Sequence, residues 1–309
     1  MTGAAIPSVA AIVVNYGTPE LTIACVESLI APANVRPHVI VVDNRSPDDS
    51  VARFRAKWAQ YESVTILARD QNDGYAGGNN AGFALARKMG ARYAFVLNSD
   101  TIVNHSCLRL LVEEAERTAG TAIVNPCIFF GEPSDLLWFG GGSFSLWLGR
   151  ARHVGYKQRA SAGLRERTDI GFATGCAMLI RLDAPGVRDF DASFFSYAED
   201  LDLSLSVLAA GSRIRYVPEA IVWHYEGASH RKAGGEALRF YLNTRNLLRT
   251  DARHARWYHW ITLGPMLAVD VIGRFVVVAL LRGDFAAAAA VFRGAWDAIS
   301  GGRHPIERA

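Results

Sequence analysis

Amide and carboxylate side chains follow three short apolar runs in the first hundred residues. Val9 to Val14 leads into Asn15-Tyr16, Val39 to Val42 into Asp43-Asn44, and Ala94 to Leu97 into Asn98-Ser99-Asp100. If the runs are parallel strands, these groups meet at one carboxyl edge, where open α/β sheets bind ligands. One Asp after a strand is usually a turn former or a cap; three such ends together favour a site. A second signal is Tyr197-Ala198-Glu199-Asp200-Leu201-Asp202, with three carboxylates at a helix start. Negative charge there suits the helix dipole, and it is also what a general base needs. The third is the segment from Asn72 to Gly82, NDGYAGGNNAG, between a strand and a helix. Its glycines would let backbone N–H groups approach an anion. It is not a P-loop, and the dinucleotide fingerprint would instead follow the first strand, where the chain reads Asn-Tyr-Gly-Thr-Pro. The fourth is His224, directly after the apolar Ile221-Val222-Trp223.

The elements that must carry these groups alternate. Val9 to Val14, Val39 to Val42, Val64 to Leu67, Ala94 to Leu97 and Ala122 to Val124 are short, apolar and bounded by turn residues, as buried strands are. Between them lie helical stretches from Pro19 to about Ile30, Ser50 to about Tyr61, Asn80 to Met89 and Ser106 to Ala119. Thr18-Pro19-Glu20 supplies an N-cap, a proline at the first helical position and an acid in the first turn. Such alternation gives a parallel sheet covered on both faces. Residues from about Phe129 to Thr168 read as hairpins and loops. A strand at Ala177 to Ile180, a helix from Glu199 to Ala210 capped by Gly211, and strands near Ile214 to Val217 and Ala220 to Trp223 follow. After His230 the pattern is helical.

Length and composition set the frame. The chain has 309 residues, half of them hydrophobic and one fifth charged, enough for one large domain with an appendage. This excludes disorder, collagen and a disulfide scaffold. Cys25, Cys107, Cys127 and Cys176 show no CxxC spacing, so neither a zinc site nor a disulfide framework is expected, and a reducing compartment fits. The N-terminus lacks a basic n-region and reads as a first strand rather than a signal peptide. From Arg231 to Arg256 seven basic residues (Arg231, Lys232, Arg239, Arg245, Arg249, Arg253, Arg256) face two acidic ones, a local +5 in a chain of net +3.

In this order the motifs resemble the family 2 inverting glycosyltransferases of the GT-A fold, especially rhamnosyltransferase-like members. The carrying stretches are VVNYGTPE, VVDNRSPDDS, NDGYAGGNNAGF, VLNSD, GFATGCAML, FDASFFSYAEDLDLSL and VWHYEGAS, from about Val9 to Asn246. The resemblance implies a Rossmann-like, doubly wound, mostly parallel α/β sheet for residues 1–230, followed by a helical extension over 231–309. It implies a nucleotide-diphosphate sugar across the strand ends, with dTDP-rhamnose favoured. Asp43 would bind the base or ribose, framed by Asn15 and Tyr16. Asn72, Gly74, Gly78 and Asn79 would line the nucleotide and sugar. Asn98 begins the place of the Asp-x-Asp metal motif, and Asp100 with His224 would hold Mg²⁺ or Mn²⁺. Asp200 would be the base for the acceptor hydroxyl, and Glu199 would orient it. The acceptor would be a polysaccharide or a polyprenyl-diphosphate-linked glycan at the cytoplasmic face of the inner membrane. Two departures stand out. Asn98 replaces an anionic ligand, and Ser206 stands near the place of an arginine whose contact would be either missing or supplied elsewhere, with Arg245 a candidate.

Two other classes compete. A nucleotidyltransferase would place a glycine-rich basic loop after the first strand, which this chain does not. A non-catalytic nucleic-acid or membrane binder would use the +5 segment, and the Glu199-Asp200 and glycine patterns argue against it; no nucleic-acid partner is expected. The last helix places Phe285, Phe292, Trp296 and Ile299 in one stripe, with i,i+4 pairs at Arg293–Asp297 and, one helix earlier, at Asp270–Arg274. The stripe serves either packing on the catalytic domain or peripheral anchoring at a membrane.

Overall fold

The computed structural model describes residues 8–31, 35–131, 134–160, 166–225, 235–281 and 283–302. The end of the VWHYEGAS stretch, together with Arg231 and Lys232, lies outside them. The first half comprises β1 (Val9–Asn15), α1 (Pro19–Ile30), β2 (His38–Asp43), α2 (Ser50–Lys57), β3 (Val64–Ala68), α3 (Gly74–Lys88), β4 (Tyr93–Asn98), β5 (Thr101–Val103), α4 (Cys107–Arg117) and β6 (Thr121–Phe130). Next come β7 (Leu137–Phe139), β8 (Gly142–Ser145), β9 (Arg150–His153), β10 (Thr168–Asp169), β11 (Ala177–Arg181), α5 (Glu199–Ala209) and β12 (Arg213–His224). The extension holds α6 (Gly235–His254), α7 (Trp260–Ala268), a π-helical stretch Val269–Val277, α8 (Val278–Leu281) and α9 (Phe285–Ser300).

The central sheet runs β10-β12-β6-β11-β4-β1-β2-β3. β1 pairs in parallel with β2 and β4, and β2 with β3, so the strand order reverses beside β1. That reversal opens a crevice at the carboxyl ends of β1 and β4. Beyond β4 the sheet is mixed, with β11 antiparallel to β4 and β6, and β12 parallel to β6. Period-two alternation sends Ala11, Val13, Val39, Val41, Phe95 and Leu97 into one apolar layer. Ala10, Ile12, Ile40, Val42, Ala94 and Val96 enter the other. The expected α/β class holds.

Several elements differ from the expectation. The glycine-rich segment is not a loop before a helix at Asn80; it forms the first turns of α3. Its glycines serve contact rather than an open cradle: a Cβ at Gly78 would stand 2.8 Å from Val14 Cγ1, and one at Gly82 2.4 Å from Ile12 Cγ2. The two strands expected around residues 214–223 are one strand, β12, with a register shift between Val217 and Ile221. The three-residue β5, too short to show in the sequence, pairs antiparallel with the end of β12 and puts Thr101 opposite His224. Thr18 precedes α1 but makes no cap bond with its side chain. The cysteines are free and buried.

Glu114 fastens α4 to β12. Its fully buried carboxylate accepts from Arg215, Arg117, Arg167 and Thr118. Burial alone would raise it, but these donors outweigh burial and hold it at about 2. A depressed folded-state value gives stability that is full above the ordinary carboxylate range and is lost as pH falls toward about 2. Glu114→Gln should lose about 1.5–3 kcal/mol at neutral pH, and its melting temperature should fall less than wild type's between pH 5 and pH 3. Equal acid sensitivity in thermal melts would refute the assignment.

Candidate active site

Asn15 ties the crevice together. Its Nδ2 donates to Asp43 Oδ2 at 2.7 Å and Ser46 Oγ at 2.9 Å, while its Oδ1 accepts from Thr22 Oγ1 at 2.7 Å. Asp43 also accepts the Ser46 amide at 2.9 Å and the Ser46 hydroxyl at 2.6 Å, so its buried carboxylate is held rigidly at the end of β2. Thr18 contacts both Asn15 Oδ1 and the Ser99 hydroxyl, the latter at 3.2 Å. This chain of contacts joins Asp43 to the Asn98-Ser99-Asp100 turn. Tyr16 lies half-buried beside it.

At that turn, Asp100 and His224 are both buried, and Asp100 Oδ1 lies 3.1 Å from His224 Nε2. The contact is an ion pair by distance without good hydrogen-bond alignment: Asp100 Oδ1 and His224 Nδ1 have no hydrogen-bond partner among the described residues. Burial disfavours a proton on His224, but Cys176 and Asp100 outweigh it and push the imidazole up to about 11. Trp138 meets the imidazole edge-on at 4.7 Å between ring centroids. Half-buried Asn98 is fixed through its backbone, donating to the Cys176 carbonyl at 2.9 Å.

Asp200 and Glu199 open α5. Asp200 Oδ2 accepts the Gly175 amide and Oδ1 the Leu201 amide, each at 2.7 Å. Glu199 is buried, with Oε2 unpartnered among the described residues. Burial raises both carboxyls; Asp200 adds to the rise of Glu199, whereas the amides of Gly175 and Leu201 restrain that of Asp200. The two carboxyls therefore titrate as one raised pair, within which the Gly175 and Leu201 amides favour the charged form of Asp200.

Gly175 and Cys176 are the bridge. The first donates to Asp200, and the second accepts from Asn98 and neighbours His224. Asn125 on β6 holds both sides of this bend, donating to the Thr174 and Ala177 carbonyls at 3.2 and 2.6 Å. Tyr75 Oη donates to the Gly175 carbonyl at 2.5 Å, bringing α3 to the same place. The fit is close, since a Cβ at Gly175 would stand 3.2 Å from Tyr75 Oη. Gly74, at φ +70°, packs against the Phe195 carbonyl, Asn72 Oδ1 caps its amide at 3.0 Å, and Asn44 Nδ2 donates to its carbonyl at 2.6 Å. Buried Asn79 donates to the Tyr75 carbonyl and leaves Oδ1 unpartnered among the described residues. Such orphaned buried atoms are rare in native interiors; here Asp100, His224, Asn79 and Glu199 contribute four.

The sequence reading missed Gly175, Asn125 and Tyr75, although GFATGCAML had marked the bend. It also misplaced one arginine. Arg188 binds Ser206 Oγ at 3.1 Å and pairs with Asp202, whose carboxylate also meets Arg253 at 2.9 Å and His254 Nε2 at 2.8 Å. Arg245 does not supply this contact. It is fully buried and donates to the Ser193 and Phe194 carbonyls at 3.0 and 3.1 Å. Asn246 adds donations to the Phe194, Ser196 and Tyr197 carbonyls. Together they clamp the turn in which Phe195, Tyr197 and Ala198 take positive φ just before Asp200. The strain there is sustained by these bonds.

Comparisons with known proteins bear on the family and the fold. The chain is 28% identical over 244 residues to rhamnosyltransferase WbbL of Escherichia coli K12, covering 67% of this chain and 90% of the relative. It is 24% identical over 249 residues to the N-acetylglucosaminyl-diphospho-decaprenol L-rhamnosyltransferase of Mycobacterium tuberculosis, covering 73% and 78%. The mannosyltransferase PcManGT of Pyrobaculum calidifontis, solved with GDP-Man and Mn²⁺, has the same fold, with a TM-score of 0.55 at 14% identity over 98% of this chain and 78% of that one. Residues 10–184 match the family description "Glycosyl transferase family 2", and the chain, matched over more than half its length, belongs to that glycosyltransferase family.

Proposed function

We propose that the protein transfers a sugar, rhamnose from dTDP-rhamnose, to a hydroxyl of a polyprenyl-diphosphate-linked glycan or growing polysaccharide, inverting the anomeric carbon in one displacement. Asp200, whose charged form the Gly175 and Leu201 amides favour, removes the acceptor proton, and Glu199 beside it orients the site. Asp43, framed by Asn15 and Tyr16, receives the nucleoside. Asn72, Asn79 and Asn98 line the donor, and Gly74 and Gly78 let α3 pack closely enough to bring them there.

Asp100 and His224 suit a divalent cation, because each carries a buried atom without a hydrogen bond. Among the described residues no group of three or more His, Cys, Asp or Glu could hold a metal, so diphosphate oxygens and water would complete the oxygen-rich shell that Mg²⁺ or Mn²⁺ prefers. The cation would supply charge stabilisation for the departing diphosphate.

The observation that carries this reading is the two-residue bridge: Gly175 holds Asp200 while Cys176 stands beside His224 and Asn98. A base and a diphosphate site on adjacent backbone units can face one anomeric carbon from two sides. The names of the two rhamnosyltransferase relatives support rhamnose as the sugar and, for the mycobacterial one, a polyprenol-linked acceptor.

A thermal-shift panel of UDP, GDP, dTDP and CMP, each with and without Mn²⁺, tests the donor. Ligand at a hundredfold its Kd adds about 2.7 kcal/mol, so dTDP with Mn²⁺ should raise the melting temperature most. A larger rise with another nucleotide would overturn the rhamnose donor. No rise with any nucleotide would overturn the function.

A further inference from the structure

The amphipathic stripe of α9 faces outward. Phe285, Phe292, Trp296 and Ile299 are 73, 57, 69 and 86% exposed. They fall within roughly 60° of one another at 100° per residue. The opposite side is spent on packing: Ala287, Ala288, Val291 and Gly294 are buried, and a Cβ at Gly294 would lie 2.6 Å from the Tyr241 carbonyl of α6. Leu280 and Leu281, just before α9, are exposed as well. Such concentrated apolar exposure marks an interaction surface.

We propose that this face of α9 docks on an anionic lipid surface, lying parallel to it with its aromatic side chains at the acyl boundary. The charges agree. The nearby carboxylates are turned inward: Asp284 caps α9 through the Ala287 amide, Asp297 accepts the Tyr241 hydroxyl at 2.7 Å rather than serving Arg293, and Asp270 pairs with Arg150 at 2.7 Å. Arg293, on α9 itself, is exposed, so the charge left beside the stripe is positive and complements anionic headgroups. No helix among the described residues is long and apolar enough to cross a membrane, so the face lies on the lipid rather than spanning it. A second copy is a weaker occupant. A 16-residue helix is about 24 Å long, and a stripe about 10 Å wide offers about 240 Å², far below the roughly 800 Å² per partner of a stable interface.

The placement deepens the reading of a lipid-linked acceptor and takes its purpose from it. Ala290 of α9 packs on the cluster of Leu238, Tyr241, Leu242 and Phe195, and the Phe195 carbonyl accepts the Ala76 amide of α3. One helix layer separates the lipid face from the donor crevice.

The test is co-sedimentation of the full chain with vesicles of phosphatidylglycerol and phosphatidylcholine, against phosphatidylcholine alone. Wild type should partition to the anionic vesicles. The double variant Phe292→Ser, Trp296→Ser and the single variant Ile299→Ser should bind less, the double variant by about tenfold or more, with unchanged circular dichroism and nucleotide-induced thermal shift. Light scattering should show the same mass for all of them. Wild type that ignores anionic vesicles, variants that bind as well as it does, or a wild-type dimer that the substitutions dissociate would each overturn the proposal. Vesicle binding needs neither donor nor acceptor, so its failure would leave the transfer reaction standing. Failure of the nucleotide panel would likewise leave the docking face standing.

Discussion

Exchanging Asp200 for asparagine should cut turnover by about 10²–10⁴-fold while donor-nucleotide affinity stays within about twofold of wild type. Asparagine matches the carboxylate in shape and can still accept the Gly175 amide through its carbonyl oxygen. It loses the acceptor for the Leu201 amide and, above all, the ability to take a proton. Affinity is spared because Asp200 touches the Gly175 side of the bridge, away from Asp43 and Asp100. Activity should also fall as pH is lowered, along a limb displaced upward from the ordinary carboxylate range, since burial raises both members of the pair. That limb belongs to the Glu199–Asp200 pair rather than to one residue. A normal rate for Asp200→Asn in a steady-state assay would remove it from the base role.

Asp100→Ala should weaken Mn²⁺-dependent nucleotide binding by about 10–100-fold or more, since even outer partners of metal ligands cost that much. Its carboxylate is the one anionic group in the Asn98-Ser99-Asp100 turn, and its partner His224 is neutral whenever it ligates a metal. Nucleotide binding without metal should change much less, because Asp43, Asn15 and Asn79 stay in place. Calorimetry with and without Mn²⁺ reads the difference. Equal affinity of mutant and wild type in the presence of metal would discredit the metal assignment.

The legible part of this protein was its polar punctuation. Asn15, Asp43, Asp100, Asp200 and His224 each follow or open a regular element, and hydrophobic periodicity locates such ends from local sequence. The structure gathers them around one crevice. What escaped the reading depends on contacts between distant segments. Gly175 has no side-chain chemistry, and its amide matters only because α5 arrives beside it. Arg188 reaches Asp202 and Ser206 from a separate loop, while Arg245, the nearer guess, is drawn into clamping the 193–197 turn. The glycines of α3 allow two meanings, an anion cradle or tight helix–sheet contact, and the proximity of Val14 and Ile12 favours the second. A stripe such as that of α9 looks the same whether it turns inward or outward; only the partners of Ala287, Val291 and Gly294 decide.

The anomeric configuration of the product tests the central claim most directly. If Asp200 takes the acceptor proton while the diphosphate leaves from the side of the Asp100–His224 pair, one in-line displacement would invert the donor's configuration. Coupling constants from nuclear magnetic resonance of the glycoside formed from dTDP-rhamnose should show the configuration opposite to that of the donor. A product with the donor's own configuration would contradict a single displacement driven by this base.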